Sequence, residues 1–322
     1  MKPTVVIAYP PFGDLQIEQD ILQRLGGTVL HFPGTHSPEA QAAMQMADAV
    51  MVTVQPVPAD LIGRLERCKL ICRVGTGLDA IDLDAAARRG IWVTYVPDYS
   101  IDEVSTHAIC LLLAQARGIP QLIASTRAGQ WNNAAAGTVY RLNGQTLGLL
   151  GCGRIGQAVA AKGRGLGLRV IAHDPYMDDQ SIRAVGVEPV DFTTLLRTSD
   201  FISLHTPLTT ASRHSINAAS LAQMKPTAYL INTARGPLID EDALLHAVRV
   251  GQIAGAALDV LTVEPPAPDN PLLHEPRILV TPHTAWYSEA AKVDVRVRGA
   301  EEVVRVLNGE PPRAPANRIA QS

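Results

Sequence analysis

Cysteine is scarce in this chain, and so are aromatic side chains and long apolar runs. The four cysteines stand at positions 68, 72, 110 and 152. Cys68 and Cys72 are spaced too widely for a C-x-x-C pair, and no histidine or cysteine cluster at metal-ligand spacing accompanies them. No metal is therefore expected, and the thiols read as structural residues of a protein in a reducing cytoplasm. No stretch approaches the ~20 apolar residues of a membrane helix. The longest run, 108–114, lies inside a polar-flanked amphipathic segment, and the start, MKPTVVIAYPPFGDL, is too briefly apolar for a signal peptide. Neither sign of charge dominates: 28 Lys and Arg against 31 Asp and Glu give a net charge of −3. A pI near 6.3 leaves no electrostatic footprint for nucleic acid or a membrane surface. These absences lead to the expectation of a soluble cytoplasmic protein with a small-molecule partner. Aromatic residues make up only 4% of the 322 residues, yet Trp286 and Tyr287 stand together just after a Pro-His pair.

What is present is an α/β pattern. A chain of 322 residues with 47% hydrophobic and 18% charged residues is long enough for two cores. Short β-branched runs alternate with helical stretches, which argues parallel sheets. In the first third, strands are expected at 4–8, 28–32, 49–54, 70–74 and 91–96, with helices at 14–25 and 58–65 between them. A long amphipathic segment, IDEVSTHAICLLLAQARGI (101–119), follows, and its acidic start and apolar stripe suit a helix. A second alternation then places strands at 146–151, 168–173, 201–205, 228–233, 254–260 and 277–281. A helix over 288–308 comes last, and periodicity does not say what it packs against.

Gly151-Cys-Gly153-Arg-Ile-Gly156 follows an apolar strand and opens a helix, 154–162. The first glycine permits the tight turn, the second lets backbone approach a pyrophosphate, and the third lets helix and strand pack closely. The helix N-terminus then faces the anion. The next strand ends in Asp174, 18 residues beyond Gly156 (174 − 156), where a carboxylate accepts hydrogen bonds from an adenosine ribose. That carboxylate would repel a 2′-phosphate, and no arginine follows it to compensate. The expected cofactor is NAD, with NADH preferred over NADPH.

Three further strand ends carry chemistry. INTARGPLIDEDAL places Arg235 just past a strand, ALDVLTVEPP places Asp259 at a strand end and Glu264 beyond it, and VTPHTAWYSE places His283 at another. Taken singly, these are a loop cation, a solvated carboxylate and a turn histidine. Together they fit the reduction of a 2-oxo acid. An arginine binds a carboxylate through two parallel hydrogen bonds. A histidine paired with a glutamate is suited to give a proton to a carbonyl oxygen as hydride arrives at the carbon.

With these residues in view, the chain resembles the D-isomer-specific 2-hydroxyacid dehydrogenases over nearly its whole length. The resemblance is carried by VGTGLDAIDLDAAARRGI (74–91), LGLLGCGRIG (147–156), HTPLTTASRHSIN (205–217), INTARGPLIDEDAL (231–244), ALDVLTVEPP (257–266) and TPHTAWYSEA (281–290). It implies that Arg235 orients the substrate carboxylate, that Glu264 raises the basicity of His283, and that His283 is the proton donor. Backbone around Gly75, Thr76 and Gly77 would complete the carboxylate cradle. Cofactor contacts would fall on Thr76, Gly151, Gly153, Arg154, Ile155, Gly156, Asp174, Thr206, Thr233, Arg235 and Asp259. The implied fold is two Rossmann-like or flavodoxin-like parallel-sheet domains with an active-site cleft between them. The substrate-binding domain would comprise 1–99 plus 287–322, and the NAD-binding Rossmann domain 100–286. A homodimer through the cofactor domain is implied as well.

Trp286 after the histidine is similar to the C-terminal binding protein branch of the family, where that ring lines the substrate pocket. Tyr99, Gln55 and the loop 10–13 would complete the pocket by the fold's implication. A flat apolar ring favours an apolar or thioether side chain on the substrate. Two relatives fit less well. Phosphite dehydrogenases carry lysine where this chain has Thr76, and formate dehydrogenases carry glutamine where Glu264 stands. The alternative from another class is a non-catalytic NAD(H)-sensing corepressor-like or scaffold protein. Retention of Arg235, Glu264 and His283 does not separate the two readings.

Overall fold

The computed structural model describes residues 2–10 and 12–319. The chain divides into two compact units, Met1–Tyr99 with Ser288–Ser322, and Ser100–Tyr287. Each is a parallel sheet between helices.

Unit 1 holds five strands: β1 (Thr4–Ala8), β2 (Thr28–Phe32), β3 (Ala49–Val52), β4 (Leu70–Arg73) and β5 (Trp92–Tyr95). They are ordered β2-β1-β3-β4-β5, so the chain reverses direction between β1 and β3. Strand alternation divides the core in two. Val6, Val50, Ile71 and Val93 lie on one face, while Val5, Ile7, Met51 and Leu70 lie on the other with Val295 and Val303. The last two belong to the helix Glu289–Leu307, which closes that face. A buried charge network pins it there: Arg296 donates to Glu18 Oε2 at 2.7 Å, and Tyr9 Oη donates to Glu18 Oε1 at 2.9 Å. Burial and the neighbouring Glu18 carboxylate push the Tyr9 phenol far up, so it stays a donor.

Unit 2 holds seven: β6 (Thr146–Leu150), β7 (Arg169–His173), β8 (Glu188–Pro189), β9 (Phe201–Leu204), β10 (Tyr229–Asn232), β11 (Gly255–Leu258) and β12 (Ile278–Val280). Their order is β12-β11-β10-β9-β6-β7-β8, with the reversal between β6 and β9. Ligands bind outside the carboxyl ends of strands at such a switch point. β6, β9 and β11 are buried along their whole length, as strands covered on both faces must be.

The expected strands all form, each with its ends trimmed by no more than two residues. The two-residue β8 had no legible pattern. The amphipathic segment 101–119 is not one helix. Helix Ile101–Ala116 stops at Gly118, which adopts φ +59°, and a second helix, Ile119–Arg127, starts with proline in its first turn. A Cβ on Gly118 would sit 2.8 Å from the Ala136 carbonyl oxygen, so only glycine fits at the break. Among the described residues no single helix is long and apolar enough to cross a membrane.

Candidate active site

The glycine turn after β6 is shaped by contacts that leave no room for side chains at two of its three glycines. Gly151 adopts φ +99°, and a Cβ there would lie 2.7 Å from the His205 carbonyl group. A Cβ on Gly156 would collide with the Gly151 carbonyl oxygen, so this glycine seats the helix Arg154–Gly165 against the turn. Gly153, the residue capping that helix, differs: a Cβ there would meet nothing within 4 Å. The protein itself does not require glycine at 153, whereas an anion approaching the helix N-terminus would. Arg154 and Ile155 form the helix's first turn.

Asp174, just past β7, ties the turn in place. Its Oδ2 accepts from the Cys152 amide at 2.8 Å and its Oδ1 from the Tyr176 amide at 2.8 Å. Beside it a cavity of about 510 Å³ opens, lined by His173, Asp174, Asp179, Ile182, Val190 and Asp191 among others, with no lysine or arginine in its wall. At the end of β9, His205 bonds Ser203 Oγ at 2.9 Å, and burial pushes its imidazole down to about 4. The residue packs under the glycine turn, against Gly151 and Gly156. Thr206 is buried next to it, and past β10 the buried Thr233 hydroxyl has no hydrogen-bond partner. An orphaned buried hydroxyl at a strand end is the kind of group a bound ligand satisfies. The open cap at Gly153, the carboxylate at Asp174 and this hydroxyl together fit a dinucleotide.

Arg235 lies two residues beyond Thr233, its carbonyl accepting from the Asn232 side chain at 2.8 Å and its Nη1 donating to Ala234 O at 2.6 Å. Beyond β11, the Asp259 side chain is fully buried and acts as a hub. Oδ1 accepts from Thr281 Oγ1 at 2.6 Å and the Thr284 amide at 3.0 Å, and Oδ2 from the Ala285 amide at 2.8 Å. The Asp259 carbonyl accepts from the His283 amide at 2.8 Å. This scaffold holds His283 at φ +51°, a conformation few non-glycine residues adopt. Its ring then meets Glu264: Nδ1 and Oε2 are 2.5 Å apart. Glu264 Oε1 accepts from the Leu261 amide at 2.8 Å. Burial opposes ionisation of Glu264, but the hydrogen bonds from His283 and Leu261 outweigh it and hold the carboxyl below its ordinary range. Trp286 is half-buried and edge-on to Tyr287, ring centroids 5.7 Å apart.

Unit 1 carries the rest of the expected residues. Gly75 adopts φ +141°, and a Cβ there would collide with the Arg73 guanidinium. Arg73 braces the turn by donating to Val74 O at 2.6 Å and Gly77 O at 2.8 Å. The Gly75 amide is turned inward to Arg73 O at 2.9 Å, and Thr76 Oγ1 donates to Val96 O at 3.1 Å. Tyr99 is half-buried past β5. In the loop 10–13, Pro11 lies outside the described residues.

Sequence reasoning missed His107, whose Nε2 lies 3.0 Å from Thr281 Oγ1 and 3.5 Å from Asp259 Oδ1. A lone histidine in an apolar helix gives no signal of its own. The neutral state of His205 was equally invisible. Among the described residues no group of three or more His, Cys, Asp or Glu is placed to hold a metal ion.

The sequence model of one family, "D-isomer specific 2-hydroxyacid dehydrogenase, NAD binding domain", matches residues 109–285, more than half of the chain. The chain belongs to this family. A similar family member is D-3-phosphoglycerate dehydrogenase 3, chloroplastic, of Arabidopsis thaliana. It is 44% identical over 245 residues, covering 76% of this chain and 41% of that protein. The chain spans about half the length, or less, of the curated relatives it matches. Solved structures match over nearly the full length. A glyoxylate reductase from Paecilomyes thermophila superposes with TM-score 0.88 at 29% identity, over 98% of this chain and 99% of that one. A D-lactate dehydrogenase from Aquifex aeolicus, complexed with NAD and lactic acid, gives 0.87 at 29%, over 95% and 96%. Two parallel-sheet α/β units are thus the family's fold.

Proposed function

We propose that the chain is an NAD-dependent D-2-hydroxyacid dehydrogenase that reduces a 2-oxo acid at C2. The observation that carries this reading is the 2.5 Å pair of His283 Nδ1 and Glu264 Oε2, on a loop fixed by the buried Asp259. With the Glu264 carboxylate accepting from Nδ1–H, Nε2 is the nitrogen that exchanges a proton with the substrate oxygen. When bound, the nicotinamide supplies the hydride that forms the new C–H bond at C2. His283 gives its proton to the carbonyl oxygen as C=O becomes C–OH, and takes it back in the oxidative direction. Arg235 holds the C1 carboxylate with its planar fork.

Gly151, Gly153, Arg154, Ile155 and Gly156 would hold the pyrophosphate, and Asp174 the ribose hydroxyls. Thr76, Thr206, Thr233 and Asp259 would supply further polar contacts. The cation-free wall beside Asp174 favours NADH over NADPH. On unit 1, the amides of Thr76 and Gly77, on the turn that Gly75 shapes and Arg73 braces, are the proposed anion cradle, and Tyr99 and Trp286 are proposed pocket walls. Trp286 is also what supports a C-terminal binding protein-like branch. A homodimer through the cofactor-binding unit is supported by an exposed apolar stretch: Ile119 at 42%, Ile123 at 46% and Trp131 at 94% exposure. A reducing cytoplasm suits the free thiols; burial pushes Cys68 and Cys72 up to about 12.

The test is NADH oxidation by the purified protein with 2-oxo acids graded in side-chain size. Turnover of one or more supports the reading. Tight NADH binding with no acid reduced would move the assignment to a non-catalytic NAD(H) sensor.

A further inference from the structure

His107 has no part in the chemistry proposed above. It stands in the helix Ile101–Ala116, where two side chains eight residues apart (115 − 107) tie the helix to opposite ends of β11 and β12. Gln115 donates from Nε2 to the carbonyls of Ala256, at 2.5 Å, and Arg277, at 3.2 Å, near where the two strands begin. His107 meets Thr281 just past the end of β12, with Nε2 3.0 Å from Oγ1. Residues at this spacing share one face of a helix, so a single rigid element delivers both contacts.

The direction of the hydrogen bonds follows from the partners. The Thr281 hydroxyl lies between His107 Nε2, at 3.0 Å, and Asp259 Oδ1, at 2.6 Å, and has one hydrogen to give. Both Asp259 oxygens accept backbone amides, from Thr284 and Ala285, so the carboxylate is an acceptor. The 2.6 Å distance is that of a hydroxyl donating to a charged oxygen. With its hydrogen directed at Asp259, Thr281 Oγ1 can only accept from the imidazole. His107 therefore carries a hydrogen on Nε2. Its direct separation from Asp259 Oδ1, 3.5 Å, is too long for a good bond, so the hydroxyl is the link. A neutral Nε2–H ring or an imidazolium meets this requirement, and the neutral Nδ1–H tautomer does not.

Both residues beyond His107 in this relay hold the backbone of His283, whose amide donates to Asp259 O at 2.8 Å and to Thr281 O at 3.0 Å. A hydroxyl that accepts one hydrogen bond donates the next more strongly. We propose that His107 is a positioning residue for His283: by donating to Thr281 Oγ1 it stiffens the Thr281–Asp259 contact that fixes the proton-transfer loop. The proposal rests on the 2-oxo acid reductase reading and adds to it a residue that acts without touching the reacting atoms.

The experiment has two arms, both on the full chain. Long-range ¹H–¹⁵N NMR of the histidine-labelled protein, with the His107 signals assigned from their loss in His107→Gln, reads the tautomer. The Nε2–H form or a doubly protonated ring is expected, and the neutral Nδ1–H form overturns the proposal. Steady-state kinetics then compare His107→Leu, which removes the donor, with His107→Gln, which keeps one. Displacing His283 by about half an ångström corresponds to roughly 10-fold in rate. The leucine variant should lose about that factor in kcat, with the acid's KM and the NADH affinity within about 2-fold of wild type. The glutamine variant should recover most of the loss. Thr281→Val should lower kcat as well, and adding His107→Leu to it should lower kcat no further, because the two act through one contact. A leucine variant with wild-type kcat, equal losses in the leucine and glutamine variants, or additive losses overturn the proposal and leave the reductase reading standing. Should the leucine variant not fold, the tautomer decides. If the wild-type protein binds NADH and reduces no 2-oxo acid, the reductase reading fails and the positioning role falls with it.

Discussion

Replacing Asp259 by asparagine keeps the shape of the buried hub but removes one acceptor. In the native protein both carboxylate oxygens receive backbone amides, Thr284 on one and Ala285 on the other, and Thr281 adds its hydroxyl. An asparagine presents one oxygen and one NH₂ group. In either orientation of the amide, one of those two backbone N–H groups faces another donor. A buried donor stranded in this way, together with the loss of charge-assisted hydrogen bonds, costs about 2–4 kcal/mol. For a unit of this size that lowers Tm by roughly 5–15 °C. The same change frees the loop that holds His283 at φ +51°, a conformation that costs about 1–3 kcal/mol and persists only while its surroundings enforce it. Displacement of a reacting group by about 1 Å can cost ~10²-fold in rate. Calorimetry and steady-state kinetics on Asp259→Asn should therefore show a lower melting temperature, with kcat falling by more than NADH affinity. An asparagine variant with wild-type Tm and wild-type kcat would refute the reasoning.

The other expectations are as follows. Gly156→Ala should cost about 1–3 kcal/mol in a urea melt, because its methyl group collides with the Gly151 carbonyl oxygen. Gly153→Ala should cost no more than about 1 kcal/mol of stability, the loss of a glycine cap, yet weaken NADH binding at least tenfold, since only a ligand would meet that methyl. The folded-state pKa of His205, about 4, lies below its ordinary value of 6.5, so its contribution to stability is complete above pH 6.5 and is lost as pH falls toward 4. That window is worth at most about 3 kcal/mol, lessened by partial exposure, and His205→Gln should flatten the slope in pH-dependent denaturation. Comparison of cofactors should give a kcat/KM with NADPH at least ~10-fold below that with NADH, because a 2′-phosphate would meet Asp174 without a cation. Equal values would remove Asp174 from cofactor choice.

Much of this was legible in the sequence, for physical reasons that differ by element. Fully buried parallel strands such as Thr146–Leu150 leave unbroken apolar runs, so they could be placed to within two residues. The break at Gly118 was not legible: a glycine at the end of an amphipathic stretch does not announce that its Cβ position is filled by Ala136, 18 residues on (136 − 118). Strand-end residues such as Arg235, Asp259 and His283 stood out because open α/β sheets gather their chemistry there. Their pairing was less visible. Only the folded loop shows that Asp259 carries the backbone of residues 283–285, or that His107, from another helix, reaches Thr281. The neutral state of His205 depends on burial, which has no signature in sequence.

The most direct test of the central claim is a paired measurement on His283→Asn: turnover of the best 2-oxo acid and NADH affinity by fluorescence titration. Asparagine retains a polar side chain at this position but cannot carry and return a proton. The account predicts turnover reduced to background with NADH affinity unchanged. Near wild-type turnover in this variant would contradict it.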